Sequence, residues 1–155
     1  MTRTGARLGP VPGAAYVRPM VHRLELRPRF AELDPYDHVN HAVYVGWFEE
    51  ARVRALEEAG LGLDVLKADG FQIVVTDLEV RFRRPVPARA TVEVQTRVAE
   101  ARRASAVWAQ RVVVDGSVAV EALVKGATTD RSGRPVRPPP DFWEKLAPLV
   151  AADWT

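Results

Sequence analysis

Tyr44, Trp47, Phe48, Ala51 and Ala55 fall on one face at the three- and four-residue spacing of an α-helix. Val43, Val45, Val53 and Leu56 widen that stripe, which predicts a helix enclosed on most of its sides. A helix this apolar has to be covered, so the rest of the chain must supply a concave surface to receive it. Asn40 is a good N-cap, because its side chain accepts from an amide one turn in, and Gly60 is a natural stop; the helix is expected between them. Gly46 inside it costs about 1 kcal/mol relative to alanine and suggests a place where another backbone passes close.

Asp34, Asp37, His38, Asn40 and His41 stand immediately before this helix. The first amides of a helix lack internal partners and the helix dipole is positive there, so such an end attracts an oxyanion or a carbonyl oxygen. Asp34 lies where a base or nucleophile could act on whatever that end polarises. An Asp-Pro pair is also a common turn starter, so Asp34 has a purely structural reading as a loop cap.

At 155 residues the chain suits one domain with a real core, and its 47% hydrophobic and 27% charged residues are ordinary for a globular protein. No apolar run approaches the roughly 20 residues that cross a bilayer, and the N-terminus lacks the apolar core of a signal peptide. A cytoplasmic protein without membrane or nucleic-acid partners is expected. The absence of cysteine removes disulfides, thiolate metal sites and a cysteine nucleophile together. A formal charge of +2 without aromatic residues interleaved among the basic ones does not favour nucleic acid, although local arginine clusters could grip a phosphorylated small molecule.

Residues 1–20, rich in proline and glycine, read as a flexible arm. A first strand is expected over 21–30, with Pro28 near its end or at a sheet edge. After the helix and a short amphipathic turn at 64–68 come a long, bent strand over 71–83, a half-buried strand over 91–99, and two more at 105–114 and 117–129 joined by Asp115-Gly116. An extended proline-rich link over 134–140 leads to a last helix at 142–150, capped by Asp141 and docked through Phe142, Leu146 and Leu149. The order predicts an α+β fold, with a curved antiparallel sheet of about five strands wrapped around one long helix.

That order, with the run from Arg29 through Asp34, His38, Asn40 and Tyr44 and the Phe48-Glu-Glu-Ala-Arg52 that follows, resembles the hotdog-fold acyl-CoA thioesterases. The 4-hydroxybenzoyl-CoA thioesterase branch and the related acyl-acyl-carrier-protein thioesterases are the most similar. The resemblance covers about residues 21–130, leaving 131–155 as the link and short helix. It implies that Asp34 is the catalytic carboxylate, that an amide near His41 polarises the thioester carbonyl, and that His38 and Asn40 take part in catalysis. It implies a coenzyme A or carrier-protein thioester as substrate, no cofactor or metal, and a homodimer joined sheet edge to sheet edge or a homotetramer. Glu32 stands where benzoyl-type members often carry a second acid, while Asn40-His41 replaces an Asn-Asn of many relatives.

Other readings of these residues stay open. His38 is either an acid-base group, an orienter of Asp34 or a loop histidine, and Asn40 either a cap or a substrate ligand. Asp34, Asp37, His38 and His41 together could in principle bind zinc or iron. Tyr44 is expected at the substrate. Arg81, Arg83 and Arg84, with Arg102 and Arg103 at the next turn, could hold coenzyme A phosphates or simply be solvated. Trp47 and Trp108 are expected as core or acyl-pocket walls, and Trp143 and Trp154 as packing or interface residues. Two rival functions remain: a hydratase or dehydratase on the same fold, against which His38 follows Asp34 by four residues rather than five, and a non-catalytic acyl-thioester binding module.

Overall fold

The computed structural model describes residues 17–154. Most of the arm expected over 1–20 therefore lies outside the described residues. Five strands, β1 (His22–Leu26), β2 (Gln72–Phe82), β3 (Val92–Ala101), β4 (Ser105–Val114) and β5 (Ser117–Thr129), form one antiparallel sheet in the order β1-β3-β4-β5-β2. Register shifts at Val75/Asp77, Val98/Glu100 and Val112/Val113 mark bulges, which bend and twist a sheet and curve it here around the helix. Asp115 and Gly116, at φ 49° and 74°, give the left-handed pair that a two-residue hairpin between β4 and β5 demands.

The long helix, α1, spans Val43–Glu58, two residues later than a cap at Asn40 would start it. Asn40 closes a turn ahead of the helix instead: its Oδ1 accepts from the Ala42 amide at 3.0 Å and its carbonyl from Val43 at 3.0 Å. At the other end Gly60 adopts φ 77°, Leu61 donates to the Leu56 carbonyl and Gly60 to that of Glu57. This paired closure requires a left-handed residue after the last turn, which glycine adopts without strain.

One side of α1 is seated on the inner face of the sheet, mainly against β3 and β1. Phe48 and Ala51 are wholly buried there, facing a floor that includes Val92, Val94, Val98, Val112, Val120 and Val124. Polar side chains cross the interface as well: buried Gln110 of β4 donates to the Phe48 carbonyl and the Thr96 hydroxyl, both at 2.9 Å, and accepts from Arg52 at 2.8 Å. The opposite side of α1 is open among the described residues. Val45 is 40% exposed, and a Cβ added at Gly46 would meet nothing within 4 Å, so neither the enclosure on most sides nor the close backbone expected at Gly46 is found.

β1 is shorter than expected because Phe30–Glu32 turns into a 3-10 helix, and β3 runs two residues further than its alternation suggested. The short helix α2 covers Leu63–Ala68. The last helix is two, α3 (Phe142–Lys145) and α4 (Ala147–Ala151): Pro148 has no N–H to continue the first through the second. Asp141 gives no capping hydrogen bond and pairs with Lys145 at 2.9 Å. Phe142, Leu146 and Leu149 are buried, as expected, in the same core as α1. Replacing Phe48 by alanine should lower stability by about 3–5 kcal/mol, the usual cost of an aromatic cavity in a close-packed core, readable as a fall in the urea midpoint.

Candidate active site

The chain between β1 and α1 folds back on itself as a small antiparallel loop. Leu33 bridges Val39, and the Asn40 amide donates to the Glu32 carbonyl at 2.8 Å. At the tip the Asp34 amide donates to the His38 carbonyl at 2.7 Å, with Asp37 at φ 58° making the reversal. The segment between β2 and β3 holds this loop from the side: Val39 donates to the Val86 carbonyl at 2.9 Å and Ala88 to that of Asp37 at 3.1 Å. The polar cluster is thus tied by backbone bonds both to itself and to a connection between strands.

Half-buried Asp34 uses its two oxygens differently. Oδ1 accepts the Tyr36 amide at 2.8 Å and the His38 amide at 3.1 Å, the turn-capping role an Asp-Pro pair suggests. Oδ2 accepts no hydrogen bond from the described residues. A carboxylate so arranged is oriented by one oxygen and keeps the other available. His38 meets Asp34 through its backbone rather than its imidazole. The His41 side chain is exposed at the start of the helix turn, and its amide has no hydrogen-bond partner among the described residues.

Tyr44, the second residue of the helix, is only 3% exposed, with its ring edge-on to Trp47 at 5.5 Å and tilted against Phe82 at 5.8 Å. Burial, aided by the Asp34 charge and against a backbone hydrogen bond at Val86, raises its phenol above the usual tyrosine value, so it keeps its proton. That charge effect places Tyr44 in electrical reach of Asp34.

Glu32 does more than its description as a second acid suggests. Its carboxylate accepts the Arg29 amide at 2.8 Å and the Trp47 indole N–H at 3.0 Å, which fastens the first full turn of α1 to the foot of the Asp34 loop. Burial pushes this carboxyl up, but the Arg29 amide and side chain and the Trp47 N–H outweigh it and hold it below the usual glutamate value. The sequence signal was its position alone; that a tryptophan fifteen residues on would close onto it required the fold.

The arginines do not form one group. Arg81, Arg83 and Arg84 lie at the end of β2 beside Val120 and Ala119 of β5, whereas Arg102 and Arg103 form the β3–β4 turn, beside Ala104 and Ser105 at the far end of the sheet. Seven residues of β4 separate the two rows, roughly 23 Å at strand spacing. Arg81 pairs with Glu79 at 2.9 Å, Arg83 with Glu121 at 3.1 Å and Arg102 with Glu100 at 3.0 Å, while Arg84 and Arg103 are exposed. Among the described residues no three His, Asp or Glu side chains converge as metal ligands, so Asp34, Asp37, His38 and His41 do not form such a set.

Residues 28–146 match the family described as the thioesterase-like superfamily. The chain is 26% identical over 140 residues to the acyl-acyl carrier protein thioesterase ATL3 of Arabidopsis thaliana, covering 85% of this chain and 70% of that protein. It is 30% identical over 91 residues to the acyl-CoA thioester hydrolase YbgC of Escherichia coli, covering 59% and 68%. A thioesterase from Thermus thermophilus, solved in complex with coenzyme A and zinc, superposes with a TM-score of 0.73 at 30% identity over 85% of this chain and 96% of that one. With its five-stranded antiparallel sheet curved about a helix and this match across most of its length, the chain belongs to the thioesterase-like superfamily of hotdog fold.

Proposed function

We propose that this protein hydrolyses an acyl thioester, of coenzyme A or of a carrier protein, to the free acid and the thiol, with Asp34 as the reacting carboxylate. The observation that supports it is the divided role of Asp34: Oδ1 is fixed by the Tyr36 and His38 amides while Oδ2 is left free, beside a helix start whose His41 amide is unpaired among the described residues. Oδ2 either takes a proton from water as the water attacks the thioester carbon, or attacks that carbon itself to form a mixed anhydride that water then hydrolyses to the free acid, restoring Asp34. In both routes the carbonyl oxygen becomes an oxyanion held by the helix-end amide, and the C–S bond breaks to release the thiol. His38, whose backbone anchors Asp34, is an auxiliary group, and Asn40 sets the turn that presents the His41 amide. Tyr44, protonated and buried, borders the acyl group, with Arg81, Arg83 and Arg84 nearer this end of the sheet than Arg102 and Arg103.

The functional unit in this reading is at least a homodimer, and it extends to a homotetramer if further faces pair. β2 supports it: the strand is eleven residues long, its outer edge is unpaired among the described residues, and Val75 and Phe82 on it are each 54% exposed. A long apolar edge is an invitation to pairing unless another strand covers it. No helix among the described residues is long and apolar enough to cross a membrane, consistent with a substrate met in water.

Asp34→Asn keeps an oxygen for the Tyr36 and His38 amides and so should fold normally, yet it should lose about a hundredfold or more in thiol release from an acyl-CoA panel, the scale of a lost general base. Full activity in that variant removes Asp34 from the chemistry, and acyl-CoA binding without release by the native protein favours a binding module. Glu32→Gln should cost about 1–3 kcal/mol at pH 7, because the charged acceptor of the Arg29 and Trp47 donors is gone. Since folding depresses the Glu32 pKa, its contribution is complete above the ordinary value of 4.5 and fades as pH falls below it, so the two proteins should converge in acid unfolding. Sedimentation should give at least twice the chain mass, and Val75→Lys with Phe82→Lys should reduce it; a native monomer ends the edge-pairing reading.

A further inference from the structure

Asp34 and the His41 amide are carried by different parts of the fold. Asp34 rides on the loop, which the connection after β2 holds through the Val39–Val86 and Ala88–Asp37 backbone bonds. The His41 amide rides on the turn that opens α1, closed by Asn40 onto Ala42 and Val43. α1 is seated in turn on β3 and β1 and registered by Gln110. Neither anchorage sets the distance from Asp34 to that amide.

Glu32 supplies the crosspiece. Its Oε2 accepts the indole N–H of Trp47, one turn into α1, at 3.0 Å. Among the described residues this is the one hydrogen bond between α1 and residues 29–39. Oε1 accepts the Arg29 amide at 2.8 Å and the Arg29 Nε at 3.3 Å, which fixes the carboxylate on its own side. The Glu32 carbonyl accepts the Asn40 amide at 2.8 Å. One residue therefore grips the foot of the Asp34 loop, the turn that presents the His41 amide, and the helix. Trp47 is as firmly placed, 5% exposed and edge-on to Tyr44.

A side chain used only to join loop to helix need not be an acid. Desolvating a carboxylate is costly, and apolar groups of similar volume often stabilise a fold as well. What the carboxylate adds is charge-assisted bonds on both oxygens, shorter and stronger than neutral ones. That matters where reacting groups must be held to about 0.5 Å, because a displacement of about 1 Å can slow a reaction about a hundredfold. We propose that Glu32 and Trp47 are a positioning pair for the hydrolytic site, setting Asp34 Oδ2 against the His41 amide without touching the substrate. This rests on the reading of Asp34 as the reacting carboxylate. Both Glu32 oxygens are occupied and the indole N–H already donates to one of them, so neither residue exchanges a proton with the thioester. Their effect falls on turnover, where carboxylate and amide must meet one carbonyl group, and not on affinity.

Thiol-release kinetics on acyl-CoA, measured well below the unfolding midpoint, test this. Trp47→Phe keeps an aromatic ring and removes the N–H, while Glu32→Gln keeps the shape and turns one accepting oxygen into a donor facing an N–H. Each should lower kcat at least tenfold and change KM less than twofold. Because they act through one bond, the double variant should fall little below the lower single one. Leu146→Ala, a cavity in the fully buried core between α3 and α4, should destabilise the fold yet leave kcat unchanged, which separates positioning from stability. Hydrogen exchange supplies a readout apart from the chemistry: the Asp34 and Asn40 amides, which close the loop, should exchange at least tenfold faster in Trp47→Phe than in Leu146→Ala. Loop amides unaffected by Trp47→Phe overturn the proposal, as do kcat values within twofold of native in both single variants or losses confined to KM. Full activity in Asp34→Asn sinks the hydrolytic reading instead, and is told apart because exchange in Trp47→Phe still quickens.

Discussion

The contact between the apolar side of α1 and the inner face of the sheet governs the rest of the structure. Phe48 and Ala51 are fully buried there, and small or branched residues on β3, β4 and β5 give the sheet a floor against which a helix can lie close. Gln110 turns that contact from a merely apolar one into a registered one. A buried amide left unpaired is costly, so its bonds to the Phe48 carbonyl, Thr96 and Arg52 penalise any sliding or rotation of the helix over the strands. The position of the helix start in space follows from that seat.

Chemistry at the helix start then depends on how the preceding loop is tied to it. Glu32 joins the loop's foot to Trp47 inside the helix, and the connection after β2 grips the loop through Val86, Asp37 and Ala88. Asp34 is consequently presented from a frame of backbone bonds rather than from a loose tip. Its two oxygens divide between structure and reactivity, so the capping and catalytic readings of an Asp-Pro turn are compatible: the amides that make Asp34 a cap are the ones that aim its other oxygen.

The two faces and two edges of the sheet are treated differently by the same strands. The inner face is filled on the β1–β3 side by α1 but remains exposed at Val75, Leu78 and Phe82 of β2. The outer face is charged, with Arg81 paired within its strand and Arg23 and Arg83 paired across strands, and a hollow where Ala99 and Ala109 meet Arg97, Arg111 and Trp154. An alternating strand pattern encodes which side chains share a face, but the pairing of strands decides which of them become neighbours.

That distinction separates what the sequence determined from what folding decided. The helical stripe from Tyr44, the two-period alternation of 92–98, the Asp115-Gly116 reversal and the docking set Phe142, Leu146 and Leu149 are local signals, and each appears in the structure where the sequence puts it, because period and turn chemistry are fixed by neighbours along the chain. The polar loop ahead of the helix was legible for the same reason. The open side of α1 at Gly46, the helix break at Pro148 in place of one continuous segment, the Glu32–Trp47 bond and the inward turn of Gln110 were not. Nor was the separation of Arg81, Arg83 and Arg84 from Arg102 and Arg103, which are close in sequence order of elements yet lie at opposite ends of the sheet. The separation of the arginines depends on the order β1-β3-β4-β5-β2, in which β2 crosses to the far edge, and strand order is set by long-range burial that no local period records.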